Sequence, residues 1–308
     1  MSTQSNAMPE SFESQEIAPA AISAARRMYW SVRRELWENR SIYLAPLGAA
    51  AVILSGFLIS MIGLPRKMRA LATLDAPHQH AAVTTPYDFA AGLIMATAVI
   101  VGVFYCLDAL HGERRDRSIL FWKSLPVSDL TTVLSKASIP LVVLQLLTFA
   151  ITVATQWIML LLSSSVLLGN GLSVAPLWTQ LSLFPMSLML LYHLVTVHAL
   201  WHAPIYAWLL LVSGWARRAA FLWAFLPPLA ICIAEKIAFN TWHFADLLLY
   251  RLGGGAEAVA LPGRFPIDPM AHLTPGNFVG SPGLWIGLAV AAAFLAAAVR
   301  VRRYRGPI

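Results

Sequence analysis

The sequence predicts an all-α polytopic membrane protein, with six transmembrane helices and an N-terminal interfacial amphipathic helix. Three observations carry this. Of 308 residues, 58% are hydrophobic and only 12% charged, against about 45–50% and about 25% in soluble domains. Uncharged apolar stretches recur at the length of one crossing, about 20 residues. The basic residues gather on alternate connections between those stretches. Mean hydropathy is +0.66. This composition excludes an ordinary soluble globule, a disordered chain and a small disulfide scaffold. The two cysteines, Cys106 and Cys232, both sit in apolar runs, outside any zinc or disulfide framework. The net charge of +7 belongs to basic loops at a membrane face and not to nucleic-acid binding.

Residues 1–25 are polar and mixed and read as a disordered cytoplasmic tail, without the basic-then-apolar order of a cleaved leader. Residues 26–42 form the amphipathic helix. Tyr29, Val32, Leu36 and Trp37 fall at helical spacing, with Arg33, Arg34 and most other charges elsewhere. Trp30 and Trp37 suit the headgroup layer. This helix is expected to anchor the first span and to touch a cytoplasmic partner.

The membrane domain covers 43–305, with spans at about 43–63, 88–108, 139–162, 185–213, 220–240 and 284–300. From Ala137 to Ala216 no charged residue occurs, a stretch too long for one crossing. Gly169-Asn170-Gly171 and Pro176 divide it into spans three and four. Span four exceeds one bilayer thickness and is expected to tilt, or to kink at Pro204. The outer segment Thr241–Gly283 reads as irregular, with a short helix near Phe244–Leu252. Sixteen Lys and Arg fall on the side of the termini and five on the other. The positive-inside rule then puts both termini in the cytoplasm of a multi-pass protein of the cell (inner) membrane.

The connection after span two is the densest in information. Glu113-Arg114-Arg115-Asp116-Arg117 is a mixed-charge cluster, and Ile119, Leu120, Phe121 and Trp122 make an apolar run too short to span. Leu125 and Pro126 stop that run, and Ser128 is placed to cap a helix running on into span three. Charge beside exposed apolar bulk predicts a docking surface.

Catalytic motifs are missing from the sequence. It holds no GxxxxGK[ST], GxSxG, HExxH or CxxC, so no enzyme activity and no bound cofactor are expected of this chain. His198 and His202 stand four apart on one face of span four, with His193 on another. No acidic residue or cysteine stands near them, which favours hydrogen-bonded packing over metal or haem ligation. Glu235, near the outer end of span five, is the candidate intramembrane charge. So few charges within spans argue against an ion-coupled transporter.

Together these residues resemble the permease subunit of a type-2 ABC exporter. The carriers are the N-terminal arm RRELWENR, the loop ERRDRSILFWKSLPVS and the segment SDLTTVLSK leading into span three. The resemblance implies a six-helix permease that pairs with a second permease chain, the same or related, and with two copies of a separate ATPase that holds ATP and Mg. It places the docking residues at Glu113, Arg114, Arg115, Arg117, Phe121, Trp122, Leu125 and Pro126. It implies an arm lying along the membrane lipids beside the ATPase, and an outer segment that dips back into the membrane. The competing expectation is a membrane-embedded metal- or haem-handling protein, or an enzyme, built on the span-four histidines.

Overall fold

The computed structural model describes residues 23–71, 75–124, 127–254 and 275–306, and every regular element among them is helical. Six helices are long and apolar enough to cross a membrane: Ser41–Met61, Ala76–Arg115, Asp129–Gly169, Ala175–Trp201, Ala220–Phe239 and Pro282–Tyr304. The protein is an all-α polytopic membrane protein, as composition and hydropathy predict. The tail over residues 1–22, the docking positions Leu125 and Pro126, and residues 255–274 of the outer segment lie outside the described residues.

Helix α1 (Ala24–Glu38) is opened by Ser23, whose hydroxyl accepts the Arg26 amide, the usual way of satisfying a free first-turn donor. Helix α2 (Ser41–Met61) is apolar on all sides yet buries one stripe: Ile42, Pro46, Ala50, Ile53, Phe57 and Met61. That three- and four-residue spacing is one helix face, and the other faces are left for lipid. The short α3 (Leu64–Leu71) leads to α4 (Ala76–Ala109), which passes through one turn residue, Leu110, into α5 (His111–Arg115).

Helix α6 (Ile119–Ser124) stands alone before the next long element. The hydroxyl of Ser128 accepts the Thr131 amide at 3.1 Å and starts α7 (Asp129–Ser138). A π-helical segment (Ile139–Val143) joins α7 to α8 (Leu144–Gly169), so the third crossing and its extension form one 41-residue helix, about 60 Å long. The turn at Asn170 and Gly171 closes it, with Gly171 in the left-handed region at φ 68°.

The fourth crossing is not a single tilted rod. After α9 (Ala175–Gln180) come α10 (Leu183–His193), a second π-helical segment (Leu194–Trp201), a bend at His202 and α11 (Ala203–Trp215). The bend falls two residues before Pro204. The His202 amide bonds five residues back to the Val197 carbonyl at 3.0 Å, and Pro204 has no N–H to offer the carbonyl of Leu200. Helix α12 (Ala220–Phe239) contains Pro227 and Pro228. Pro228 cannot donate to Ala224, and the indole N–H of Trp208 on α11 does so instead, at 3.1 Å. The chain finishes with α13 (His243–Leu252), α14 (Pro275–Gly280) and α15 (Pro282–Tyr304).

Two apolar clusters stack along the bundle. One, toward the end carrying both described termini, joins Ile42, Tyr105, Ile139, Leu144, Tyr206 and Leu210. The other, toward the opposite end, joins Phe57, Tyr87, Ile94, Met159 and Leu167. Both cysteines are buried and free.

Candidate functional site

Charged side chains converge at the end of the bundle that holds both described termini. On α1, Val32 and Leu36 pack onto the first apolar cluster, and Glu35, on the same stripe, is 0% exposed. A carboxylate there needs partners. Lys136, at the foot of the third crossing, donates to both of its oxygens at 2.9 and 3.0 Å. The Tyr105 hydroxyl donates at 2.8 Å and Arg34 at 2.6 Å. Burial by itself pushes the Glu35 carboxyl upward; Lys136 and Arg34 outweigh it and hold it below the ordinary carboxylate value.

The same cations reach further. Lys136 lies 3.1 Å from Glu113 on α5, and Arg34 reaches the same oxygen at 3.3 Å. Arg302, near the end of α15, donates to Glu113 at 3.1 Å and to Asp129, the first residue of α7, at 2.5 Å. Glu35, Glu113 and Asp129, with Glu38 3.6 Å from Arg34 at the edge, thus face Arg34, Lys136 and Arg302, and of these Glu35, Glu113, Lys136 and Arg302 are all buried. The network joins the arm, the second and third crossings and the sixth into one assembly.

Above it sits α6. The Arg34 guanidinium lies 3.9 Å from the centre of the Trp122 ring, and Trp122 meets Phe121 edge to face at 4.9 Å. Leu120 and Phe121 are each 59% exposed. Further along, α7 exposes Leu130 and Leu134, an extension of the apolar surface absent from the sequence reading. On the arm, Arg33 lies 5.1 Å from both the Trp30 and Trp37 rings, which are exposed.

Comparison with family models, curated proteins and solved structures gives no match for this chain.

The geometry redistributes the residues expected to dock a partner. Glu113 and Arg114 are buried and face inward; the first belongs to the ion network. Arg114 donates to the carbonyls of Gly214 and Ala216 at the end of α11 and to Gly306. Arg115, paired with Asp116 and Asp108, stays exposed, as does Arg117 in a left-handed turn at φ 58°. Phe121 is exposed and Trp122 half-buried. Sequence reasoning missed Glu35 as the partner of Lys136, and Arg302 as the partner of Glu113 and Asp129. The one signal for Glu35 was an acid on the apolar stripe of the arm.

Two other expectations change. Glu235, the candidate intramembrane charge, has a local structural role: it accepts Thr241 Oγ1 at 2.7 Å and the amides of His243 and Phe244 at 2.8 Å each, capping the start of α13. His193 does not sit on a separate face. The π-helical register brings its ring to 5.2 Å from His198, which is 5.5 Å from His202. Among the described residues no group of three or more His, Cys, Asp or Glu is placed to hold a metal ion.

Proposed function

We propose that this chain is the membrane-spanning permease subunit of an ABC exporter, forming the substrate pathway and driven by a separate cytoplasmic ATPase. One observation carries the reading. The exposed helix α6 hangs between two helices, Ala76–Arg115 and Asp129–Gly169, that each continue into a crossing, and the buried ion network ties their feet together. The Arg34 guanidinium, which stacks on Trp122 and bonds Glu113, links α6 to that network, so a push on α6 reaches the feet of the crossings through it. The sequence holds no phosphate-binding loop, so the work of transport comes from a partner. Leu120 and Phe121 supply the apolar anchor and Arg115 and Arg117 a charged rim, the composition of a protein interface. The arm lies on lipid through Trp30, Arg33 and Trp37. A second copy or a related permease chain completes the pathway.

The experiment is purification of the full chain from its native membrane with whatever ATPase accompanies it. Hydrolysis that rises with this subunit and is lost with Leu120→Ala/Phe121→Ala supports the reading; no associated ATPase sinks it. The same reading places α6 and both termini in the cytoplasm. A C-terminal tag reachable from outside intact cells would overturn that orientation.

A further inference from the structure

Three of the five Lys and Arg on the side away from the termini lie in one short helix, α3 (Leu64–Leu71). It follows the first crossing, α2, after a turn at Ile62 and Gly63. Leu64, Met68 and Leu71, spaced four and three apart, form one helix face and pack on the apolar cluster at that end of the bundle. Arg66, Lys67 and Arg69 fall off that face and are exposed. Arg66 and Arg69, three apart, are neighbours on the helix surface. The helix packs against α8, whose half-buried Leu162 and Val166 share the cluster. The protein thus fixes the apolar side of a basic amphipathic helix and leaves its cations facing outward.

The depth of α3 follows from the helix before it. Helix α2 has 21 residues, a rise of about 31 Å, against a hydrocarbon core of about 30 Å. Arg40 stands immediately before it, and Arg66 is the first charge after it. These two cations therefore flank the hydrocarbon. Ile59 and Ile62 are largely exposed and end the lipid-facing surface of α2 next to α3. Arg66, Lys67 and Arg69 accordingly stand in the headgroup layer, where basic amphipathic helices lie.

The chain offers these cations no counter-charge among the described residues. No carboxylate there pairs with any of the three, and the next acid in sequence, Asp75, is 2.6 Å from His78. Residues 72–74, which join α3 to Asp75, carry no charge. Cations gathered on this side also run against the usual distribution of Lys and Arg. The counter-charge that a headgroup layer offers is lipid phosphate.

We propose that α3 binds anionic phospholipid headgroups in the leaflet opposite the termini. Arg66 and Arg69 meet phosphate oxygens side by side, and Lys67 adds charge at the flank. The binding pins the far end of the first crossing, and it does not depend on whether an ATPase drives the chain.

The test places the full chain in nanodiscs of phosphatidylcholine alone, or of equal parts phosphatidylcholine and phosphatidylglycerol. Lipid retained on release from the mixed discs is read by native mass spectrometry. Wild type should retain phosphatidylglycerol over phosphatidylcholine, and that preference should fall about fivefold for each cation removed in the series Arg66→Gln, Arg69→Gln and Lys67→Gln. A second readout needs no variant: a water-soluble amine reagent should label Lys67 more slowly in mixed discs than in phosphatidylcholine discs, with the difference erased by high salt. Equal retention by wild type and the triple variant, or equal Lys67 labelling in the two discs, overturns the proposal. Protection of Lys67 that appears only when native proteins co-purify assigns the patch to a protein partner and overturns it as well.

Discussion

Lys136 bonds both carboxylate oxygens of Glu35, at 2.9 and 3.0 Å, across 101 positions of sequence. Both side chains are buried. Removing Glu35 alone leaves Lys136 and Arg34 to share Glu113, whereas removing Glu35 and Lys136 together takes out one charge of each sign. Glu35→Ala should cost about 3–5 kcal/mol. The pair Glu35→Leu/Lys136→Met should recover most of it, because Glu113 keeps Arg34 and Arg302. Thermal unfolding in detergent measures both; a double variant no better than the single would show that the charges themselves stabilise the fold.

Acid should loosen the same contact. The Glu35 carboxyl is held below its ordinary value, where burial that raises it is outweighed by Lys136 and Arg34. A depressed carboxyl contributes stability that is complete above the unfolded value, about 4.3, and is lost as pH falls through the lower folded value. The gap in Tm between wild type and Glu35→Gln should be wide at neutral pH and narrow progressively as pH falls below the unfolded value of about 4.3. A gap that stays constant with pH would contradict this.

Glu113 and Phe121 should fail in different ways. Charge reversal at Glu113 places a cation among Arg34, Lys136 and Arg302, so Glu113→Arg should lower the folded yield before any partner is involved. Phe121 is largely exposed, so Phe121→Ala should leave Tm unchanged and weaken ATPase retention about tenfold or more. Membrane abundance and pull-down, measured side by side, separate the two. Equal loss of folding in both variants would mean that α6 is part of the core.

The proline in α12 gives a further test. Trp208→Phe removes the donor to the Ala224 carbonyl and should cost about 1 kcal/mol. In a Pro228→Ala background the backbone N–H returns, and the same substitution should cost close to nothing. A cost unchanged between the two backgrounds would refute the substitution of indole for amide.

The fold was legible because bilayer solvation acts on composition: stretches without charge, such as Ala137–Ala216, have few other uses. The Ser128 cap and the Gly171 turn were legible because their chemistry is local. The ion network was not, since Glu35, Glu113, Lys136 and Arg302 come from four distant segments. Charges beside a turn read as solvent-facing until an opposite helix covers them, which is what happens to Glu113 and Arg114. His193 was misplaced for another reason. A π-helical turn shifts the register by one residue, and no residue in Leu194–Trp201 announces it. The cap that Glu235 makes was not legible because the helix it caps begins eight residues later, beyond the span.

The arm has two faces that should answer differently to ionic strength. Its inner face is held by ion pairs that are mostly buried, shielded from counterions, and added salt has little to screen there. Its outer face offers Arg33 between Trp30 and Trp37, and the proposed attraction there to anionic headgroups would act over the Debye length, about 8 Å in physiological salt. A high-salt wash should therefore lift the arm's aromatic edge from the lipid surface while Glu35 and Lys136 keep its spine on the protein.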